Sequence, residues 1–204
     1  MHAGSPAGHL EHGEHDEQLV GPDLQRLRPH GFKVLHDVSW PGRRRAAIDH
    51  IVVGPPGVFV MHTENWSGAV TVEEETLRQN GYSRVQQTEA VRRSALVVGL
   101  SLGASWAALV VPVICLTGSA ELVPTQAGPV TVLSLDHLAA WLLSQPSRLA
   151  APGGQQVVRS LRAALPGKSA VVIPDRASAR IRLPKSRRRV ALQIERRAVP
   201  RPGA

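Results

Sequence analysis

Three polar side chains interrupt an otherwise apolar stretch at Ala47–Gly68. Asp49 lies near the start of one apolar run, Ile48 to Val53. His62 and Glu64 lie near the end of a second, Val58 to Thr63. Gly54-Pro55-Pro56-Gly57 separates the two runs. It can neither continue a strand nor start a helix, because prolines lack amide donors and glycines favour turn dihedrals. Two β-branched runs around a tight turn predict a hairpin. Side chains alternate across a strand, so His62 and Glu64 share one face while Met61 and Thr63 share the other. An acid on one strand and two polar groups on its neighbour can converge on one point. Two-strand sites of that kind bind divalent metals through oxygen ligands and hydrolyse phosphodiesters.

The elements around this hairpin must position it. Residues 1–12 are rich in Gly, Ala and His and are read as a disordered N-terminus. Leu19, Val20, Leu24 and Leu27 have helical spacing, with a kink or break at Gly21-Pro22 and a stop at Gly31. Lys33 to Val38 reads as a strand, and Arg43-Arg44-Arg45 as a basic turn into the hairpin. Ala69 to Val72 predicts a further strand, closed by Glu73-Glu74-Glu75 as an acidic turn or strand edge. Arg84 to Ala108 is the longest helical candidate, followed by strands at Leu109–Leu116 and Val130–Ser134. Helices at Leu135–Leu143 and Gln155–Leu165 complete the order. That order implies an α/β or α+β sheet covered by helices.

Charge is divided unevenly along the 204 residues. Residues 1–174 hold 14 basic and 14 acidic side chains, whereas residues 175–204 hold 10 and 2. The net charge of +8 therefore belongs to the C-terminal segment, 167–204, read as a basic and largely disordered tail behind a domain at 13–166. Its Lys185, Arg187, Arg188 and Arg189 suit counterion release on nucleic acid or anionic lipid. The tail has no aromatic residue to stack on bases, so binding there would be independent of sequence. The single cysteine, Cys115, excludes an intramolecular disulfide framework and reads as a buried thiol in a reducing compartment. The opening residues lack the basic and apolar regions of a signal peptide, so a cytoplasmic protein is expected. Ser94 to Ala120 carries no charge over 27 residues, long enough to span a bilayer. Its serines, glycines and Pro112, and its change of character midway, favour a buried helix followed by a central strand. No Walker-type phosphate loop is present, and no small-molecule cofactor is expected.

The residues Ile48-Asp49-His50-Ile51-Val52-Val53-Gly54-Pro55, then Gly57-Val58-Phe59-Val60, then Asn65-Trp66-Ser67-Gly68, resemble the nuclease-related domain (NERD) family. Gly13-Glu14 and Val34 to Val38 match its layout upstream, and the resemblance spans roughly 13–118. It implies a restriction-endonuclease-like α/β core, a mixed central sheet flanked by helices, and metal-dependent nuclease activity directed at DNA. By the same resemblance Glu14 is the acid on the first helix that helps hold a metal. Asp49 is the principal ligand for Mg²⁺ or Mn²⁺.

The second hairpin strand should then supply a glutamate, one residue and a lysine. Here His62-Thr63-Glu64 stands in that place. Imidazole suits Mn²⁺ or softer ions better than Mg²⁺. Glu64 sets a negative charge where a cation would stabilise the phosphate. Glu64 itself as second carboxylate, or a cation drawn from Arg43, Arg44 and Arg45, are the two conceivable rescues. Those arginines read equally as phosphate contacts or as an exposed turn. The expected catalytic set is Asp49, Glu14, His62 and Glu64, with Asp49, Glu14 and His62 on the metal. His50 reads as a structural neighbour, and His9, His12 and His15 as solvated. The expectation is a nuclease-related protein with impaired or altered hydrolysis; the alternative is a non-catalytic nucleic-acid-binding or interaction module.

Overall fold

Apolar runs too continuous to lie on a half-solvated sheet form the middle of the molecule. In the computed structural model, residues 20–40, 47–118 and 122–165 are described. The basic tail, the first 19 residues and the Arg43-Arg44-Arg45 turn lie outside them, so the expectations placed there are not addressed by the structure. The chain divides into two units at Val171/Val172, and the second falls wholly outside the described residues.

Six strands form one mixed sheet in the order β1-β2-β3-β7-β9-β8. These are β1 Lys33–Ser39, β2 Ala47–Gly54, β3 Gly57–Glu64, β7 Val110–Leu116, β8 Thr125–Ala127 and β9 Val130–Ser134. β1, β2 and β3 pair antiparallel, β3–β7 and β7–β9 pair parallel, and β8 closes the edge antiparallel. Parallel pairing requires a crossover, and α2 (Val85–Leu102) supplies it between β3 and β7. Its buried Val91, Ser94, Ala95, Val98 and Leu102 recur at the spacing of one helical face. Ala95, Val98 and Leu102 meet Ile51, Val53, Val58 and Val60 of the sheet and Val157 and Leu161 of α5 (Ala151–Ala164). The opposite face is covered by α1, the helical turn at 20–25, and by α4 (Leu135–Ser144). There Val20, Leu24, Leu138 and Leu142 close over Val52, Phe59, Met61, Val113 and Cys115. This is the α/β architecture expected: a mixed sheet with helices on both faces, consistent with a restriction-endonuclease-like core.

Several local expectations are corrected. The long helix ends at Leu102, because Gly103 adopts φ 82° and its amide returns to the carbonyl of Gly99. A short α3, Ala104–Ala107, follows. Gly21 and Pro22 lie within the helical turn at 20–25, and the part of the expected segment before residue 20 lies outside the described residues. Helix α5 begins four residues earlier than its apolar spacing implies, with Pro152 in its first turn, where a missing amide costs nothing. A second sheet, β4-β5-β6, was not anticipated beyond its first strand: β4 Val70–Glu73, β5 Thr76–Gln79 and β6 Tyr82–Ser83. Its turns are built from Glu74 and Glu75 at φ 47° and 62°, and from Asn80-Gly81 at 50° and 81°. Asn-Gly is a hairpin signal in its own right; what hid β5 is that Leu77 is its one apolar residue.

At the β2–β3 turn, Gly57 has φ 153°, and a Cβ there would come 2.7 Å from the carbonyl oxygen of Leu109. That same oxygen accepts the amide of Val58. The backbone thus passes too close to the start of β7 for a side chain at that position.

Ile51 is fully buried at the centre of β2. Its truncation, Ile51→Ala, is expected to cost about 2–5 kcal/mol, read as a lowered urea midpoint with an unchanged m-value.

Candidate functional site

The β2–β3 backbone ladder runs from Gly54↔Gly57 to His50↔Met61. One step further along the same register, Asp49 comes opposite His62. There a side chain takes over from the backbone: the Thr63 amide donates to Oδ2 of Asp49 at 2.9 Å. An ionised acceptor makes such a bond stronger than a neutral one, so Asp49 both ties the strands and is itself oriented. On the other side of β3, His62 pairs with Ile114 and Glu64 with Leu116, while Met61 and Thr63 pair with Val113 and Cys115. Ile114 and Leu116 belong to the cluster with Trp66 and Val91, and Met61, Val113 and Cys115 to the cluster beneath α1 and α4. His62 and Glu64 therefore do share a face, the one covered by α2.

The sheet also departs from simple alternation beside the site. Leu35 and Val38 share one core cluster, as do their partners Ile51 and Ile48, although each pair is three residues apart. In β1 the step is taken at Asp37, a non-glycine residue at φ 49°.

His62 does not point freely into a cleft. Its Nε2 lies 3.0 Å from the Oγ of Ser94, which is almost wholly buried in the middle of α2. Burial lowers the His62 pKa below its ordinary value, and the neighbouring Asp49 carboxylate opposes part of that fall. The ring is thus neutral near pH 7, with one nitrogen a donor and the other an acceptor. Carboxylate, imidazole and hydroxyl are brought together, but Ser94 lies too deep for a substrate to reach as a nucleophile. Ser94 was missed because a serine on an apolar helix face reads as filler; its place among Val91, Ala95 and Val98 was the available signal.

Glu64 is held as well. Its Oε2 accepts the indole N–H of Trp66 at 2.9 Å. The guanidinium of Arg84 lies over the Trp66 ring, 5.4 Å from its centroid, and donates to Oε1 of Gln79 at 2.6 Å. The Gln79 amide in turn donates to the Ser67 carbonyl at 2.8 Å. The second sheet and the start of α2 are thereby fastened to the end of β3. Glu64 is thus a half-buried carboxylate with an indole partner.

A histidine pair lies one step from Asp49. His36 and His50 face each other across β1 and β2, with their Nδ1 atoms 2.9 Å apart and rings edge to face. One Nδ1 donates and the other accepts. His50 is fully buried, and its Nε2 has no hydrogen-bond partner among the described residues. Burial first, then His36 and His62, press its pKa down to about 3.

Among the described residues no three His, Cys, Asp or Glu side chains gather as a metal-ligand set. His62 Nε2 is engaged by Ser94 and Glu64 by Trp66. These residues do not by themselves fit a divalent ion; Glu14 lies outside them. Cys115 is buried and its thiol is pushed up to about 12, mainly by burial, so it is inert as a nucleophile. Among the described residues no helix is long and apolar enough to cross a membrane, and Ser94–Leu116 forms the expected helix followed by a central strand, the helix buried on one face only, with Leu96 and Leu100 exposed.

Comparison with known proteins agrees with the geometry. The model of the family described as "Nuclease-related domain" matches residues 12–117, just over half of the chain. An uncharacterized protein of Bacillus anthracis is 37% identical over 68 residues, 32% of this chain and 32% of that protein. The chain thus spans about a third of the length of the curated relative it matches. No solved structure matches it.

The buried histidines make stability depend on acidity. Below its ordinary pKa of 6.5, a histidine in the unfolded chain takes up a proton that folded His50 refuses until about pH 3. Stability is therefore whole above that window and declines as pH falls through it. His36 and His62, also lowered by burial, add in the same direction. Urea unfolding measured across the window should show this decline, and His50→Leu should make it shallower; an equal slope in the variant contradicts the assignment.

Proposed function

The chain belongs to the nuclease-related domain family, and on that footing we propose that it is a DNA-directed module whose metal-dependent phosphodiester hydrolysis is impaired or altered. One observation carries the reading: both departures from the acid–x–lysine pattern are built into the fold. His62 is bonded to Ser94 in α2, and Glu64 to Trp66. Neither is a chance surface change that a neighbouring side chain simply overrides.

The consequences follow from charge. A divalent ion, when bound in such a nuclease, activates water and neutralises phosphate oxygens. A neutral imidazole in place of a carboxylate weakens the hold on Mg²⁺ and favours Mn²⁺. Glu64 opposes the charge that develops on phosphate. Asp49 stands where the family pattern has its principal acid, with Oδ2 held by the Thr63 amide, which leaves altered hydrolysis open to test. The second reading, a nucleic-acid-binding module without catalysis, is favoured by the composition of residues 175–204, where Lys185, Arg187, Arg188 and Arg189 would hold phosphates without regard to sequence.

Nicking of supercoiled plasmid with Mg²⁺ or Mn²⁺ separates the two. Weak cleavage by the wild type that Asp49→Ala abolishes supports the altered nuclease. Cleavage that survives Asp49→Ala removes Asp49 from the site. Salt-sensitive binding with no cleavage supports the module. The double change His62→Glu with Glu64→Lys should raise nicking by about tenfold or more; a folded but inert double variant counts against the restriction-endonuclease-like site.

A further inference from the structure

The cation that this site lacks at position 64 has a candidate replacement in the small sheet and the start of α2. Arg84 is the N-cap residue of α2, and its side chain makes no capping bond there. A positive charge at a helix N-terminus adds to the positive end of the dipole and costs stability. The first turn of α2 has no acid to offset it. Arg84 makes no salt bridge with any described carboxylate, as is also true of Arg93, Arg148, Arg159 and Arg162, whereas Arg26, Arg78 and Arg92 each make one; what sets Arg84 apart is how its guanidinium is held. Its Nε is buried without a hydrogen-bond partner. Its guanidinium is nonetheless held still, tied to Gln79 through one nitrogen and laid over Trp66. Trp66 is the residue whose indole grips Glu64.

A cation placed against the local stability rules, immobilised, and in no salt bridge with a described carboxylate is arranged to receive an anion. We propose that Arg84, seated on Trp66 and tied to Gln79, is the phosphate-binding cation of this site, and that its ligand is a backbone phosphate of DNA. The proposal rests on the nucleic-acid-directed reading above and names the residue that serves it. Trp66 contributes a rigid platform and holds the Glu64 carboxylate by its indole. Gln79 fixes the guanidinium fork through one nitrogen, leaving other donors for phosphate oxygens. Arg84 is a binding residue here.

The test is the affinity of the full chain for a short fluorescent DNA duplex, by anisotropy over a range of salt. Arg84→Gln is expected to weaken binding roughly fivefold to tenfold and to make the log–log salt slope shallower by about 0.9, the signature of one lost phosphate contact. Arg84→Lys, which keeps the charge, is expected to retain the slope. In the ¹⁵N-labelled wild type, the Arg84 Nε–H resonance should shift as duplex is added, a readout that depends on no variant folding. If Arg84→Gln binds with wild-type affinity and slope, or the resonance stays still while duplex binds, the Arg84 assignment is overturned and the nucleic-acid reading survives. If the wild type binds no duplex at all, both fall together.

Discussion

The bond from the Thr63 amide to the Asp49 carboxylate holds the site end of the sheet together. Strands β2 and β3 share a backbone ladder only as far as His50 and Met61. Beyond that point the strands stay adjacent because a side chain replaces a backbone acceptor. An unpaired amide at that depth would cost free energy comparable to a lost hydrogen bond. The acid therefore ties the two strands where their backbone ladder ends. His62 sits beside it, and the positions of Ser94, Glu64 and Trp66 follow from where β3 is thereby made to run.

The two faces of the sheet divide the polar residues in a way that shapes the chemistry. On the α2 face lie His62, bonded to Ser94 of α2, and Glu64, bonded to Trp66 in the loop that follows β3. On the opposite face Met61 and Cys115 join the core beneath α1 and α4. His50, pressed far below its ordinary pKa, keeps a neutral ring inside the sheet. The result is a site of low local positive charge around the sheet, with Arg84 arriving from the second sheet and the start of α2. Arg84 thus comes to the Trp66 that holds Glu64 from outside the central sheet.

Much of this was legible in advance, and the reasons are specific. The hairpin could be read because Gly54-Pro55-Pro56-Gly57 allows nothing else between two β-branched runs, and the faces of His62 and Glu64 because strand period is fixed at two. The buried helix and strand between Ser94 and Leu116 could be read from apolar spacing. The second sheet escaped because its strands are short and polar, and such strands are stabilised by their cross-strand partners more than by any local preference. Ser94 and Arg84 escaped because each acts through a residue far from it in sequence: Ser94 through His62, and Arg84 through Trp66.

The chain's own residues determined the layered α/β architecture, the tight turn and the identity of the acid, because backbone sterics and apolar periodicity act over a few neighbouring positions. They also determined that position 62 is an imidazole and position 64 a carboxylate. Only the tertiary structure decided that His62 is bonded to Ser94, that His36 and His50 meet, and that Arg84 is laid over Trp66. Hydrogen bonds and ion pairs depend on distances of a few ångströms between elements, and those distances exist only once the helices have closed over the sheet.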